Sequence, residues 1–88
     1  MMFKTKKERV DHWNNYGKKH LVGRTIKGVR WLTDKEAEQM GWYSRPIVIH
    51  LDDGSMIFPS QDDEGNDGGA LFGQGPDGKD LTFPVNGG

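Results

Sequence analysis

Only one long stretch of this chain spaces its apolar positions like a helix. Val10, Trp13 and Gly17 fall three and four residues apart on one face, while Lys6, Lys7, Arg9 and Asp11 point elsewhere. Ahead of them, Thr5-Lys6-Lys7-Glu8 fits the S/T-x-x-E capping box, in which a hydroxyl and a carboxylate satisfy the first free amides of a helix. The helix therefore starts near Lys6, and the run Asn14-Asn15-Tyr16-Gly17 predicts its stop after about three turns.

The pattern then changes to that of strands. HLVGRTIKGVRWLT is rich in β-branched and aromatic residues, and its alternation breaks at Gly28, which predicts a bent or bulged strand. Thr33-Asp34-Lys35-Glu36 is a second capping box, and with Gly41 after Met40 it bounds a short helix over 34–40. In RPIVIHLDDGSMIFPS, Asp53-Gly54 lies between two apolar runs and predicts a two-residue type I′ hairpin turn. Such a turn pairs Leu51 with Met56 and Ile49 with Phe58 on a core face, and His50 with Ile57 on the other. A second hairpin is expected about Pro76-Asp77-Gly78, between ALFG and LTFPV. The intervening QDDEGNDGG reads as a loop too polar and too rich in glycine to pack.

This order predicts a mainly β fold with an N-terminal basic helix (1–20) and a small β domain (21–88) that carries the short helix as an insertion. Five short antiparallel strands close most economically as a small five-stranded SH3-like barrel, because closure removes exposed sheet edges. The alternative is an open antiparallel α+β sheet with one helix packed on it. With 88 residues there is room for one domain. Leu, Ile, Val and Phe together number 18, so three Trp, four Phe and two Tyr must supply much of a thin core. Cysteine is absent, which removes disulfides and thiolate zinc sites and leaves packing or self-association to stabilise the fold. A homo-oligomer, with a two-fold dimer favoured, is the expected assembly. No apolar run approaches the roughly 20 residues that span a bilayer, and MMFKTKKERV has a charged start without the apolar stretch of a signal peptide. The expected location is the cytoplasm.

Charge sharpens the picture. Residues 1–45 carry 11 Lys and Arg against 5 Asp and Glu, a net of +6, and residues 46–88 carry 1 against 8, a net of −7. A total of −1 thus hides a strong dipole, which points to an oriented partner, a second copy of the chain, or compensation between the halves. Asp62, Asp63 and Glu64, together with Tyr43 and Arg45 of the GWYSRP loop, are candidate partner-binding residues, since aromatic and Arg side chains are enriched at interface hot spots. Trp42 either joins that patch or fills the core. Asp62, Asp63, Glu64 and Asp67 also offer oxygen ligands to a hard cation such as Ca²⁺, but the run fails the EF-hand pattern at its turn glycine and its bidentate Glu.

The basic half sets Lys6, Lys7, Arg9, Lys18, Lys19 and Lys27 among Trp13, Tyr16 and Trp31, the combination of cations and rings that binds single-stranded nucleic acid. Trp13 lies on the apolar helix face, where packing into the core competes with that role. His50 and Asp52 could form an acid/base or two-ligand pair, against a plain reading as two polar residues on an outer hairpin face. There is no Cys nucleophile, Gly-x-Ser-x-Gly elbow, Walker loop or His-Glu-x-x-His. No catalytic residue and no cofactor are expected, and the chain reads as a binding protein and not an enzyme.

GRTIKGVRWLT, then GWYSRPIVIHLDDGSMIFPSQDDEGNDGGALFG, then LTFPV together resemble small uncharacterised proteins encoded by marine cyanobacterial phages and related uncultured marine sequences. The resemblance covers about residues 21–85 and rests on the SRPIVI strand, the LDDG turn and the PSQDDEGN loop. It implies a short phage accessory protein that acts in a host cell by binding, and it carries no activity. The sequence thus predicts a protein-interaction or assembly module, with nucleic-acid binding and a Ca²⁺-stabilised loop as alternatives.

Overall fold

The computed structural model describes residues 2–87. Its first element is α1 (Lys6–Leu21), capped by Thr5, whose hydroxyl accepts from the Glu8 amide at 3.1 Å. The Glu8 carboxylate reaches one residue further back than the capping box requires and accepts from the Lys4 amide at 2.8 Å. The helix runs through the expected stop, because a glycine ends a helix only where it takes the left-handed conformation. That glycine is Gly23 (φ 81°), with the Arg24 amide donating to the Leu21 carbonyl, and Gly17 stays helical. Lys18, Lys19 and His20 in the last turn suit the negative end of the helix dipole.

A three-stranded antiparallel sheet follows, with β1 (Ile26–Trp31), β3 (Ile47–Leu51) and β4 (Met56–Ile57) in the order β1-β3-β4. The bulge falls between Ile26 and Gly28, where the sequence breaks alternation. Between β1 and β3 the chain forms α2 (Asp34–Met40) and β2 (Ser44–Arg45). The second capping box is complete, and Gly41 ends α2 in the left-handed conformation. β2 pairs with β7 (Asn86–Gly87), and β5 (Leu71–Gln74) pairs with β6 (Asp80–Phe83).

The expected SH3-like barrel is not formed: the protein is a small α+β fold, with three separate antiparallel sheets among the described residues. Among the described residues no ladder joins the β5-β6 hairpin to β1 or β4, so both edges of the main sheet stay open. β4 is only two residues long because Phe58 and Pro59, which lacks an amide donor, lead the chain out of the sheet into the acidic loop. The alternative of one helix laid across the sheet fails for α1, which has no buried residue. It is α2 that covers the sheet.

The first hairpin also differs in register by one residue. β3 pairs Ile49 with Ile57 and His50 with Met56, and Leu51 closes on Ser55 through a 2.9 Å bond from its amide. A type I′ turn needs φ > 0 at Asp53 as well as Gly54, whereas the observed three-residue loop needs it only at Gly54 (φ 87°). Asp53 instead accepts the Ser55 amide at 3.0 Å, a bond that rewards Asp in this place. Gly75-Pro76-Asp77-Gly78-Lys79 repeats the design, with Gly78 at φ 81° and Asp77 accepting the Lys79 amide at 3.0 Å.

The register decides which face is core. Val48, fully buried, lies on the same face as His50 and packs with Leu32, Ala37 and Trp42, with Phe58 against them. Trp42 and Phe58 meet edge to face at 5.7 Å between ring centroids. The other face of the sheet holds Ile49 with its partners Val29 and Ile57, and of these Val29 and Ile57 are exposed. The face expected to be core is therefore half open.

Candidate functional site

The acidic loop is a folded unit. Asp62 accepts from the Glu64 amide (3.0 Å), the Asn66 amide (3.2 Å) and the Asn66 side-chain amide (2.8 Å). Asp67 turns inward and accepts from the Tyr43, Ser44 and Gly68 amides at 2.8–3.1 Å, and the Trp42 indole donates to the Gly65 carbonyl at 2.7 Å. Gly68 lies so close to β2 that a Cβ there would sit 2.6 Å from the Pro46 ring and 2.8 Å from the Ser44 carbonyl. The glycines that made this segment look unpackable are what let it pack. Hydrogen bonds from Ser44 onto Asp67 and from Asn66 onto Asp62 hold both carboxyls below their ordinary values. These oxygens are committed to amides, and among the described residues no three His, Asp or Glu side chains form a metal-holding group.

Tyr43 and Arg45 separate. Tyr43 is 83% exposed beside the loop. Arg45 instead bonds Asp34 at 2.6 Å and the Gly87 carbonyl at 2.7 Å, tying α2 to the C-terminal strand. The expected patch keeps Tyr43 next to the loop, with Asp63 and Glu64 exposed on it, and loses Arg45 to a structural role. His50 and Asp52 are likewise divided: His50 accepts from the Arg30 guanidinium at 3.1 Å, and Asp52 faces Arg24 at 3.7 Å.

Arg30 also makes a two-pronged pair with Glu36 (2.7 and 3.0 Å), which locks α2 to β1. The Arg30 bond, with the Thr33 amide and hydroxyl, lowers the Glu36 carboxyl from 4.5 to about 2. A depressed carboxyl stabilises the fold fully above its unfolded value and loses that contribution as pH falls through the folded one. The melting temperature should therefore drop between pH 4.5 and about 2, and Glu36→Gln should flatten part of that drop. Parallel pH profiles for the two proteins would show that the pair does not couple to folding.

Trp13, which the sequence leaves between core packing and contact with nucleic acid, lies on an open face of α1. Trp13 is 56% exposed and Tyr16 53%, with Val10 and Leu21 also open. Phe3, His12, Trp13, Tyr16 and His20 form a chain of ring contacts along the helix, with neighbouring centroids 4.4–6.4 Å apart. At its C-terminal end, Tyr16, Gly17, His20 and Leu21 face Leu51, Ser55 and Ile57 across a groove of about 290 Å³. A second groove of about 220 Å³, lined by Ile49, Ile57, Phe58, Pro59 and Leu71, adjoins it through Ile57. Together they make one apolar trough on the open face of the sheet. Lys6, Arg9, Lys18 and Lys19 are exposed on the helix, with Lys7 loosely paired to Asp11, and Lys27 is exposed at the β1 bulge.

No protein-family model, curated protein or solved structure matches this chain. Among the described residues no helix is long and apolar enough to cross a membrane.

Proposed function

We propose that the protein is a non-enzymatic interaction module, and that its working surface is the exposed aromatic face of α1 together with the apolar trough beside it. One observation carries this reading: a sixteen-residue helix with Trp13 and Tyr16 on its surface has no buried residue. Contiguous exposed apolar surface beyond a few hundred Å² marks an interaction site in a soluble protein. The occupant is a polypeptide, because the trough is apolar and the Asp52-Asp53 hairpin tip beside it repels a polyanion. The resemblance to phage-encoded proteins fits a short accessory protein that meets its partner in a host cytoplasm.

Cross-linking tests the reading directly. With a photoreactive benzophenone amino acid in place of Trp13, irradiation in cells should give discrete protein adducts, and the same residue in place of the exposed Lys35 on α2 should not. Nucleic-acid adducts at position 13 would favour the exposed rings and lysines as a strand-binding platform. No position-specific adduct would remove both readings.

A further inference from the structure

The open surface is too large to be incidental. The chain exposes 6883 Å², against about 5,200 Å² for a compact monomer of its 9.9 kDa mass. Its radius of gyration, 15.1 Å, exceeds the roughly 12 Å of a compact chain of this length. The excess, about 1,700 Å², is about twice what each partner of a standard-sized complex contributes. Part of it falls on an apolar ridge, with Val10 and Trp13 open on α1, and on an apolar trough lined by Ile49, Leu51, Ile57 and Leu71, of which Ile57 is exposed; Tyr43, Phe72 and Ile26 are open elsewhere.

Charge marks these two surfaces as complementary. The α1 residues Lys6, Lys7, Arg9, Lys18 and Lys19 outnumber Glu8 and Asp11, whereas Asp52 and Asp53, two carboxylates that share the single Arg24, leave a net negative charge at the hairpin tip beside the trough. Within one chain little of the split is neutralised. Among the described residues, the ion pairs that join the basic half to the acidic half are those of Arg24 with Asp52 and Asp53, at 3.7 and 3.6 Å. The others, Lys7 with Asp11, Arg30 with Glu36 and Arg45 with Asp34, stay within the basic half.

Resting on the reading of this face as an interaction surface, we infer that its occupant is a second copy of the chain. Two copies pair about a two-fold axis, and each lays the Val10 and Trp13 face of its α1 in the Ile49, Ile57 and Leu71 trough of the other. The exchange is reciprocal, so it closes at two chains, and each basic helix meets the acidic half of its neighbour. Residues 22–25 link α1 to β1, and the C-terminal half of α1 lines its own chain's groove through Tyr16, Gly17, His20 and Leu21, so the open N-terminal half, with Val10 and Trp13, is the part that meets the neighbour.

Sedimentation velocity over a wide dilution series tests this on the full chain. The expected species has twice the 9.9 kDa chain mass. Trp13→Glu and Ile57→Glu should each raise the dissociation constant at least about thirtyfold, as loss of a central aromatic or aliphatic anchor does. Both sites are exposed in the single chain, so circular dichroism should show each variant folded. Mixing the two variants separates exchange from other contacts. A mixed dimer keeps one intact joint, formed by the Trp13 helix of one variant and the Ile57 trough of the other, so dimer should return. Monomer at every concentration overturns the inference, as does a dimer that both substitutions leave unchanged or that mixing fails to restore. A position-13 cross-link to a different protein from such a monomer would leave the interaction module standing, and the lack of any protein adduct would remove that too.

Discussion

Trp42→Ala should lower the melting temperature by about 15–30 °C, the largest effect expected of any single truncation in this chain, because it removes about 3–5 kcal/mol from a small domain. Trp42 is 7% exposed and packs with Leu32, Ala37, Val48 and Phe58, which make up most of the covered side of the sheet. Its loss acts twice. The cavity removes contacts from every member of that cluster, and the Gly65 carbonyl loses the indole donor that pins the acidic loop at 2.7 Å. A chain of this length holds roughly 4–13 kcal/mol of stability in total, so a protein at the lower end would be unfolded at room temperature. Trp42→Phe keeps one aromatic ring but loses the indole's second ring as well as the hydrogen bond, so its cost should fall between the about 1 kcal/mol of the bond alone and the full loss in Trp42→Ala. Trp13→Ala is the internal control. It removes the same side chain from an exposed helix face and should shift the midpoint of the monomer by no more than about 4 °C. Thermal unfolding followed by circular dichroism reads all three, and similar losses for Trp13→Ala and Trp42→Ala would mean that α1 is part of the core.

That contrast also shows what could be read in the sequence. Capping boxes at Thr5 and Thr33, the strand break at Gly28 and the turn glycines Gly54 and Gly78 are local signals, and each marks the element where it stands. The hairpin register turns on a choice between two loops, both of which Asp53-Gly54 serves, and the three-residue form adopted has the Ser55 amide on Asp53 and the Leu51 amide on the Ser55 carbonyl. One residue of slip moves every side chain of β4 to the other face, so Ile57 and not Phe58 lies opposite Ile49, and Phe58 packs against the Val48 cluster, while Ile47 and Leu51 on the Ile49 face stay buried. The helix presented a different difficulty. Val10, Trp13 and Gly17 do form an apolar face, but periodicity says only that a face wants cover and not which surface covers it. Barrel closure failed for a related reason: whether a strand edge finds a neighbour depends on chain segments far away in sequence.

Of the candidate residues, Asp62 and Asp67 looked like free ligands because clustered carboxylates look alike in sequence. The structure turns both toward backbone amides, and only the folded path of the loop, with Gly68 pressed on Pro46, creates those partners. Arg45 likewise finds Asp34 eleven residues earlier across α2, a contact that no spacing rule anticipates. Lys6, Arg9, Lys18 and Lys19 remain exposed, as basic helix residues commonly do.

The second large effect concerns motion. An isolated helix shorter than about 12–15 residues is marginal even when rich in Ala, and α1, only just longer at 16 residues, carries the poor helix formers Asn14, Asn15, Gly17 and the β-branched Val10. Without cover its amides should open readily. Hydrogen exchange should then protect α1 less than about tenfold in the monomer, while the amides of β3, which open only with the whole domain, should be protected at least about a thousandfold. Contact with a partner would close the gap by burying Val10 and Trp13.

Hydrogen exchange resolved along the chain, on protein shown by sedimentation to be monomeric, compares Lys6–Leu21 with Ile47–Leu51 in one sample. The account predicts fast exchange in α1 and slow exchange in β3, with α1 gaining protection as concentration rises and β3 unchanged. Equal, slow exchange in both segments of the monomer would place α1 in the core of its own chain and leave no surface for a partner.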